Sequence, residues 1–476
     1  MAVLGQARSG LVAGAYVAAA VIGCAALWGF TVDDALISVQ YARNIVNGVG
    51  YRFDPGGSVT DGVTPLPWPV LLLPFAKGTA LEVLLRARVL GAALYILAAA
   101  ALGRRVSEEP APRWAAIGGA VVLGLCVPAA AHAVSGMETA VVVFLATLAV
   151  VVRGDRTSAL LAGAAAAFRP ELIPWALAHS VLRAPADARS RVRSGALAFA
   201  FPLVVVALRV SLFGHAAPLA IHAKPADLSQ GVAYALAAAL SSATPFVGVS
   251  IAGLRVSRSA RAIIVAFFVH LLAVAAAGGD WMPLARLVAP LAPGLVLAFV
   301  LAASEIPRWS LVLRGLLVAG FGWIPLLVGV GTARFVFADR RAMIEAATPE
   351  LAQCSYIAAA DVGWVSAAAP GRRILDLGGL TDPEIAYLPG SHTSKRVDAS
   401  MLLDRHVDCV LLYVEGPSDL ATWRASRFAH AVDARLARSD LFADRYTPTH
   451  FIPLGRPLPD GMPVHGYLLL HLGSPL

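Results

Sequence analysis

The chain has 476 residues, of which 58% are hydrophobic and 14% are charged, and its mean hydropathy is +0.71. This composition excludes an ordinary soluble domain and predicts an α-helical polytopic membrane protein. The formal net charge of +8 does not indicate a nucleic-acid-binding protein, because the arginines punctuate the apolar runs instead of forming one basic face or tail.

Apolar runs of membrane-spanning length recur from Leu11 to about Gly331. Arginine clusters separate them at intervals of about one apolar hairpin and mark cytoplasmic loops under the positive-inside rule. With Arg8 inside, the simplest count is eleven transmembrane helices, which puts the C-terminus outside. The fifth and sixth segments are short and meet at "FRPEL"; if they are half-helices, the count changes by two and the sidedness does not. The predicted crossings are about residues 11–30, 82–103, 115–133, 140–152, 158–168, 172–182, 195–213, 231–253, 262–277, 285–304 and 310–331.

The first helix is expected to be retained as an uncleaved anchor. The apolar runs end near Gly331, and beyond that residue the composition is a mixture of polar and apolar residues. We therefore predict a membrane domain of residues 1–331 and an exported α/β domain of residues 332–476. The predicted helices of the α/β domain are 362–369, 399–406 and 418–438. Its predicted strands are "CSYIAAA", "RRILDLGG", "VDCVLLYV", "YTPTHFIPL" and "GYLLLHL".

Cysteines and a glycine-rich loop give weaker signals. Cys354 and Cys409 each lie in a predicted strand, so they form either a disulfide or a pair of core thiols, whereas Cys24 and Cys126 are expected to be small buried hydrophobes. "DLGGLTD" follows a strand as a phosphate loop would, but it lacks the dinucleotide glycine spacing. The exported domain is expected to cover the active site, to bind a polymer acceptor or to be purely structural.

The first outer loop, residues 31–68, begins with an acid pair at the end of an apolar run. "DDALISVQYARNIVNG" has apolar residues at helical spacing and predicts a short amphipathic helix at the membrane interface. Asp33 or Asp34 would cap this helix. Capping accounts for one aspartate and leaves the other unexplained.

Unusual polar segments lie almost entirely in the predicted outer loops, while the cytoplasmic loops are short and basic. Because charge at bilayer depth is expensive and is retained mainly where it is useful, this distribution predicts an outward-facing site at the membrane surface. Besides residues 31–68, the segments are "SGMET" at 135–139, "FRPEL" at 168–172, "FGHAAPLAIHAK" at 213–224 and "GGDWMPLAR" at 278–286.

These motifs, in this order and together with "ADVGWVSAAAPGRRILDLGGLTDPEIA" in the tail, resemble those of GT-C-type membrane glycosyltransferases. Within that class the chain is most similar to the terminal arabinofuranosyltransferase branch of actinobacterial cell-wall synthesis and its bacterial relatives. The resemblance implies a GT-C fold in a bacterial plasma membrane, with the active site and the C-terminal domain facing the exterior. The chain departs from the family pattern at Gln40, at Asp54, and at Leu219 with Ile221. Contact of these positions with the sugar or the phosphate would imply a donor or acceptor different from that of the named branch.

The activity implied is the transfer of a monosaccharide, with arabinofuranose as the candidate, from a polyprenyl-phosphate carrier to a cell-envelope glycan or glycolipid. Such a reaction needs a base at the acceptor hydroxyl, cations at the departing phosphate and a groove for the lipid. Asp33 or Asp34 would be the base of an inverting transfer, with Asp33 preferred.

For the donor phosphate the candidates are Lys224, Arg286, Arg169 and His222, with snorkelling of the basic side chains and a structural histidine as the alternatives. Glu171 would pair with Arg169. A divalent metal bridging the acid pair and the phosphate is compatible with these residues, although no ligand spacing demands one. The candidate contacts to the sugar or acceptor are Asp280, Trp281, Tyr41, Arg43, Asn44 and Glu138.

Two other functions compete with this prediction. A transporter or flippase of lipid-linked sugars would use the same basic outer rim, but it predicts polar residues through the membrane core and on the cytoplasmic side. An inactive scaffold for envelope assembly is the other alternative. The partners expected for the enzyme are the lipid-linked donor, the glycan acceptor and membrane lipids.

Overall fold

The computed structural model describes residues 2–416, 419–455 and 465–473, with the side chains of all of these except residues 2–9, 323, 324, 328 and 332. The α-helices are α1 Ala2–Ala26, α2 Asp33–Val46, α3 Pro67–Leu72, α4 Ala80–Ser107, α5 Arg113–Gly124, α6 Val127–Val134, α7 Thr139–Val151, α8 Asp155–Phe168, α9 Ile173–Arg183, α10 Ala188–Phe213, α11 Leu219–Ala223, α12 Leu228–Ser241, α13 Thr244–Gly248, α14 Ile251–Val256, α15 Arg258–Ala276, α16 Ala292–Ala302, α17 Arg308–Leu351, α18 Val362–Ala368, α19 Pro383–Ala386, α20 Ala399–Asp404, α21 Ala431–Arg438 and α22 Asp440–Arg445.

The strands lie toward the C-terminus, in the part of the chain that follows α17. They are β1 Tyr356–Ala359, β2 Arg373–Asp376, β3 Cys409–Glu415, β4 Arg427–Phe428, β5 Tyr446–Leu454 and β6 His465–Leu472.

Fewer helices can cross a membrane than the sequence predicted. Among the described residues four helices are long and apolar enough, namely α4, α10, α15 and α17, and a fifth span is formed if α5 and α6, which meet at a bend of 53°, are counted together. The prediction of eleven crossings is therefore wrong, whereas a helical protein with apolar helices of membrane-spanning length is confirmed.

Too many crossings were predicted because apolar composition alone does not distinguish a membrane-spanning helix from a short buried one. The crossings predicted at 140–152, 158–168 and 172–182 correspond to helices of 13, 14 and 11 residues. The crossing predicted at 231–253 is divided among α12, α13 and α14. It breaks where Ala243 has a positive φ of 59° and where Pro245 occupies the first turn of α13.

The chain forms two compact units, each assembled from separate stretches. The first unit contains Met1–Thr31, Arg86–Leu208 and Ala226–Arg334, and the second contains Val32–Leu85, Arg209–Pro225 and Phe335–Leu476. This division differs from the predicted boundary near Thr332, because most of the first outer loop and the segment around α11 belong to the second unit.

Small residues allow close helix packing in the first unit. A Cβ at Gly163 of α8 would lie 2.5 Å from the Ala198 carbonyl oxygen of α10, and a Cβ at Gly91 of α4 would lie 2.2 Å from that of Ala133 in α6. Because such distances exclude any side chain, glycine lets these backbones touch, as is typical of helix packing in membranes.

A mixed sheet is the centre of the second unit. Its strand order is β2-β1-β3-β6-β5, with β4 paired to β3. The pairs β1/β2 and β1/β3 are parallel, and β3/β6 and β5/β6 are antiparallel. The apolar runs of β3 and β6 are buried, as expected for central strands, and their core residues include Val410, Leu412, Leu468 and Leu470.

Each of the five predicted strand segments overlaps an observed strand, and a sheet region at the C-terminus is thereby confirmed. The helix predicted at 418–438 is wrong in its first half. Phe428 lies in strand β4 and pairs with Val414 of β3, and α21 begins only at Ala431. Cys354 and Cys409 form a disulfide with a Cα–Cα distance of 5.8 Å, which ties the start of β3 to the residue two positions before β1.

Candidate functional site

The first residue of the acid pair is held from three directions inside the second unit. Asp33 Oδ2 accepts a hydrogen bond from the Gly363 amide at 2.8 Å, and Oδ1 accepts one from the Trp364 amide at 2.9 Å. The Arg340 guanidinium donates to Oδ1 at 2.5 Å. Since the amides at the start of a helix lack intrahelical partners, Asp33 caps α18 from a remote part of the chain.

The amide at Gly363 can reach Asp33 only because the residue is glycine. A Cβ there would lie 2.3 Å from the Asp33 carbonyl oxygen. The two helix starts are therefore packed backbone against backbone. The interaction favours the carboxylate form of Asp33, because the helix dipole and Arg340 both present positive charge.

Burial opposes that preference. It raises the pKa of Asp33 to about 6, against the lowering effect of Arg340, and the nearby carboxylates of Asp361 and Asp34 raise the pKa further. Asp33 is thus a buried, hydrogen-bonded side chain whose two oxygens are both engaged.

Asp34 is in a different environment although it is the next residue. Its side chain is half-buried, and within the described residues its carboxylate accepts no hydrogen bond and forms no ion pair. The acid pair is thereby divided into one carboxylate that fixes structure and one that is available. The sequence preference for Asp33 as the base did not anticipate this difference.

Two residues beside the acid pair were missed by the sequence analysis. Arg340 lies in α17, and Asp361 immediately precedes α18, where its Oδ2 accepts a hydrogen bond from the Tyr467 hydroxyl at 2.7 Å. The signal available for Asp361 was its place in "ADVGW", a motif that carried the family resemblance. Arg340 gave none, because its partner lies 307 positions away.

The "YARN" residues of α2 hold the first outer loop in place. The Tyr41 hydroxyl lies 2.8 Å from Thr60 Oγ1, and Asn44 Nδ2 donates to the carbonyls of Arg52 and Phe53 at 2.9 and 2.8 Å. Arg43 donates to the Gly78 carbonyl at 3.1 Å. All three candidate sugar contacts therefore make intramolecular hydrogen bonds: those of Tyr41 and Asn44 lie within the loop, and that of Arg43 goes to Gly78 beyond it.

The segment around α11 is fixed to the same unit by two buried charges. Arg209 pairs with Asp61 at 2.6 Å, and Lys395 Nζ donates to the His222 carbonyl at 3.3 Å. The His222 ring lies 4.6 Å from that of Tyr387. Lys224 directly follows α11 and is half-buried. These contacts place the candidate phosphate ligands His222 and Lys224 in the unit that contains Asp34.

The "DLGGLTD" loop is filled by its own aspartate. The Asp376 carboxylate accepts hydrogen bonds from the amides of Gly378, Gly379 and Thr381 at 2.8, 3.1 and 2.7 Å. Those amides are the groups with which such a loop would bind phosphate. The loop is therefore a closed structural turn.

Three motifs of the first unit carry buried ion pairs, here together called the ionic network. Arg169 of "FRPEL" pairs with Glu138 of "SGMET" at 2.9 Å and with Glu171 at 2.6 Å. Within "GGDWMPLAR", Arg286 pairs with Asp280 at 2.8 Å. The Trp281 side chain in the same motif is about half exposed.

Two buried histidines contact the backbone of these motifs. His132 Nε2 lies 3.1 Å from the Pro283 carbonyl, and His270 lies between the carbonyls of Glu171 and Leu287 at 3.2 and 2.8 Å. The three motifs of the first unit therefore meet in space. Both candidate phosphate-binding arginines, Arg169 and Arg286, are already paired with carboxylates.

Within the described residues, the group of three side chains close enough to hold a metal ion is Cys354, Cys409 and His471. The two sulfurs are bonded to each other, so this group offers no thiolate ligand. Among the described residues, neither Asp33 nor Asp34 belongs to such a group.

Comparison with protein-family models gives a match in the C-terminal part of the chain. A family model described as a domain of unknown function, DUF8728, matches residues 334–456. The matched stretch begins inside α17 and ends just after β5, so it leaves out β6 and most of the apolar helices. No curated protein and no solved structure matches the chain.

Proposed function

We propose that the protein is a polyprenyl-phosphate-dependent glycosyltransferase of the GT-C type. It moves a monosaccharide, with arabinofuranose as the candidate, to a cell-envelope glycan or glycolipid. The observation that carries the proposal is the division of the acid pair, with Asp33 fixed by Arg340 and two amides while the adjacent Asp34 is half-buried and unpaired.

Asp34 is the general base in this proposal. A positioned carboxylate that removes the acceptor proton contributes a factor of roughly 10² to 10⁴ in rate. A general base must be held in a fixed position and must have free lone pairs. The anchoring of Asp33 fixes the position of the adjacent Asp34, and the Asp34 carboxylate keeps its lone pairs free. Attack opposite the departing phosphate inverts the anomeric carbon.

The donor phosphate is assigned to Lys224 and His222. Both belong to the compact unit that holds Asp34, and the ammonium and imidazole groups are suited to a phosphate at headgroup depth. Arg286 and Arg169 can contact a phosphate only by sharing or releasing Asp280, Glu138 and Glu171. We propose that their ionic network shapes the membrane unit instead.

The proposed orientation, with the C-terminal sheet outside a bacterial plasma membrane, rests on the disulfide. The parity of the helix count supported this sidedness in the sequence, but four or five spans do not fix it. Disulfides persist in oxidising compartments and are rare in the cytosol. The bond between Cys354 and Cys409 favours the exterior.

Transfer assays with purified protein test the proposal. Wild type, Asp34→Asn and Asp33→Asn are incubated with radiolabelled polyprenyl-phosphate sugars and envelope glycan acceptors, and label in the glycan is measured. Wild type should transfer label, and Asp34→Asn should lose at least 100-fold in rate while keeping its thermal stability. If all donors stay intact while label crosses proteoliposome membranes equally in the three proteins, the function is transport and the proposal fails.

A further inference from the structure

A polar cleft of about 320 Å³ opens in the second unit, away from the contacts of the acid pair. It lies between the "DPGGS" turn of the first outer loop and the "TDPE" turn that begins α19. A cleft of this size is at the small end of the range for ligand pockets, which is about 300–1,000 Å³. Its charged and aromatic lining residues are Asp54, Tyr356, Arg373, Asp382, Glu384 and Arg405.

One wall of the cleft is a stacked arginine. The Arg373 guanidinium lies 4.1 Å from the centre of the Tyr356 ring. The same side chain passes close to Gly56, where a Cβ would come within 2.7 Å of Arg373 Cδ. A glycine at this position therefore lets the Arg373 side chain pass close to the backbone of the turn.

A second arginine that lines the cleft is shared by two carboxylates. Arg405 donates to Asp382 at 2.6 Å and also pairs with Glu384. Asp382 in turn caps α19 through the Ile385 amide at 3.0 Å. These bonds hold carboxylate oxygens and guanidinium nitrogens side by side at the cleft before any ligand arrives.

Asp54 completes the set of fixed acceptors. Its Oδ1 accepts a hydrogen bond from the Gly56 amide at 2.9 Å, and the side chain is buried at the cleft. Asp54 is one of the positions at which the chain departs from the family pattern. The departure therefore contributes a carboxylate to this cleft.

We propose that the cleft binds a neutral, hydroxyl-rich saccharide. Adjacent planar acceptors and donors match pairs of sugar hydroxyls, and three carboxylates against two guanidinium groups disfavour a phosphate or another anion. If the proposed function holds, the saccharide is a segment of the glycan acceptor. Only this identification of the saccharide rests on the proposed function.

The test measures saccharide binding to the full-length protein in detergent with no donor present. The probes are neutral oligosaccharides of three to six arabinofuranose, mannose or glucose units. Their binding is measured by saturation-transfer NMR, with inorganic phosphate as competitor. Ser58 is an exposed residue at the mouth of the cleft. Ser58→Trp should block the cleft, and Ser58→Ala is the matched control.

At least one oligosaccharide should bind wild type and Ser58→Ala, with at least tenfold weaker binding to Ser58→Trp and no displacement by phosphate. Equal binding to Ser58→Trp, displacement by phosphate, or no binding by any probe overturns the proposal. Asp34→Asn should bind as wild type does. Binding without transfer by wild type would sink the enzymatic function alone, whereas transfer without cleft binding would sink the saccharide cleft alone.

Discussion

The carboxylate of Asp33 and the amide of Gly363 are separated by 330 positions in the chain and by 2.8 Å in the structure. The bond joins the first residue of α2 to the first turn of α18. It therefore links the acid pair of the first outer loop to a segment that precedes strand β2. The position of Asp34 depends on this anchor, because the two aspartates are adjacent.

We predict that Asp33→Ala lowers the stability of the second unit and Asp34→Ala does not. Removing Asp33 leaves the buried Gly363 and Trp364 amides and Arg340 without their acceptor, and the loss of one partner from such a set costs roughly 3 kcal/mol. Thermal unfolding of the full-length protein in detergent measures the difference.

Asp34→Ala is the matched control, and it should change stability by less than about 0.5 kcal/mol, as expected at a position without such contacts. A large loss in Asp34→Ala, or none in Asp33→Ala, would contradict the division of the acid pair. Arg340→Met should resemble Asp33→Ala in direction, since it removes the same ion pair.

Local patterns predicted the elements of the C-terminal sheet well. The segments around β3 and β6 are apolar runs bounded by polar residues, and this signal belongs to the strands themselves. The amphipathic α2 was also predicted, because Leu36, Ile37 and Tyr41 recur at helical spacing and are buried in the structure. Such features depend on neighbours in sequence.

Contacts between residues far apart in the sequence could not be predicted from local patterns. Asp61 and Arg209 form a buried ion pair across 148 positions, and neither residue carries a local sign of the other. The same holds for Arg340 and Asp33. Because the acid pair looked symmetrical in sequence, only the partners from α17 and α18 distinguish the anchoring aspartate from the available one.

Asp376 should make stability depend on pH. Burial raises its pKa to about 6, although hydrogen bonds from Thr381 and Gly378 lower it. An unfolded aspartate has a pKa of about 3.9, so between about pH 4 and pH 6 the native state keeps a proton that the unfolded state loses. The stability from this proton is full below about pH 4 and is lost as the pH rises to about 6, by up to about 3 kcal/mol.

The comparison is between wild type and Asp376→Asn, whose side chain does not titrate. Subtracting the melting temperature of the variant from that of wild type should give a value that falls from pH 4.5 to pH 6.5. Asp404→Asn, at an exposed position, should follow the pH profile of wild type. A difference between wild type and Asp376→Asn that stays constant across this range would contradict the assignment.

Arg169→Met should strongly destabilise the first unit. It removes the guanidinium that pairs with Glu138 and Glu171, and Glu138 is fully buried. A buried carboxylate without its partner costs about 3–5 kcal/mol. Thermal unfolding in detergent should therefore show a large loss, part of which is recovered in the double variant Arg169→Met with Glu138→Gln.

The control for this prediction is Arg104→Met. Arg104 pairs with Glu108 at 3.5 Å, but its side chain is 83% exposed, and exposed pairs contribute about 1 kcal/mol or less. If both variants lose the same stability, or if the double variant is no better than Arg169→Met, the network is not the buried ionic core of the first unit.

The disulfide between Cys354 and Cys409 gives the last prediction, which concerns both stability and sidedness. The two cysteines are 55 positions apart, and closing a loop of that length stabilises the native state by about 4 kcal/mol in the chain-entropy description. Reductant and the double variant Cys354→Ala with Cys409→Ala should lower the melting temperature similarly, and reductant should not affect the variant further.

Cells expressing the protein are then denatured directly in a maleimide polymer reagent. Because Cys24 and Cys126 are the free cysteines, wild type should gain two adducts, and prior reduction should give four. Four adducts without reduction would mean that the bond does not form in the cell, and the exterior position proposed for the sheet would lose its support.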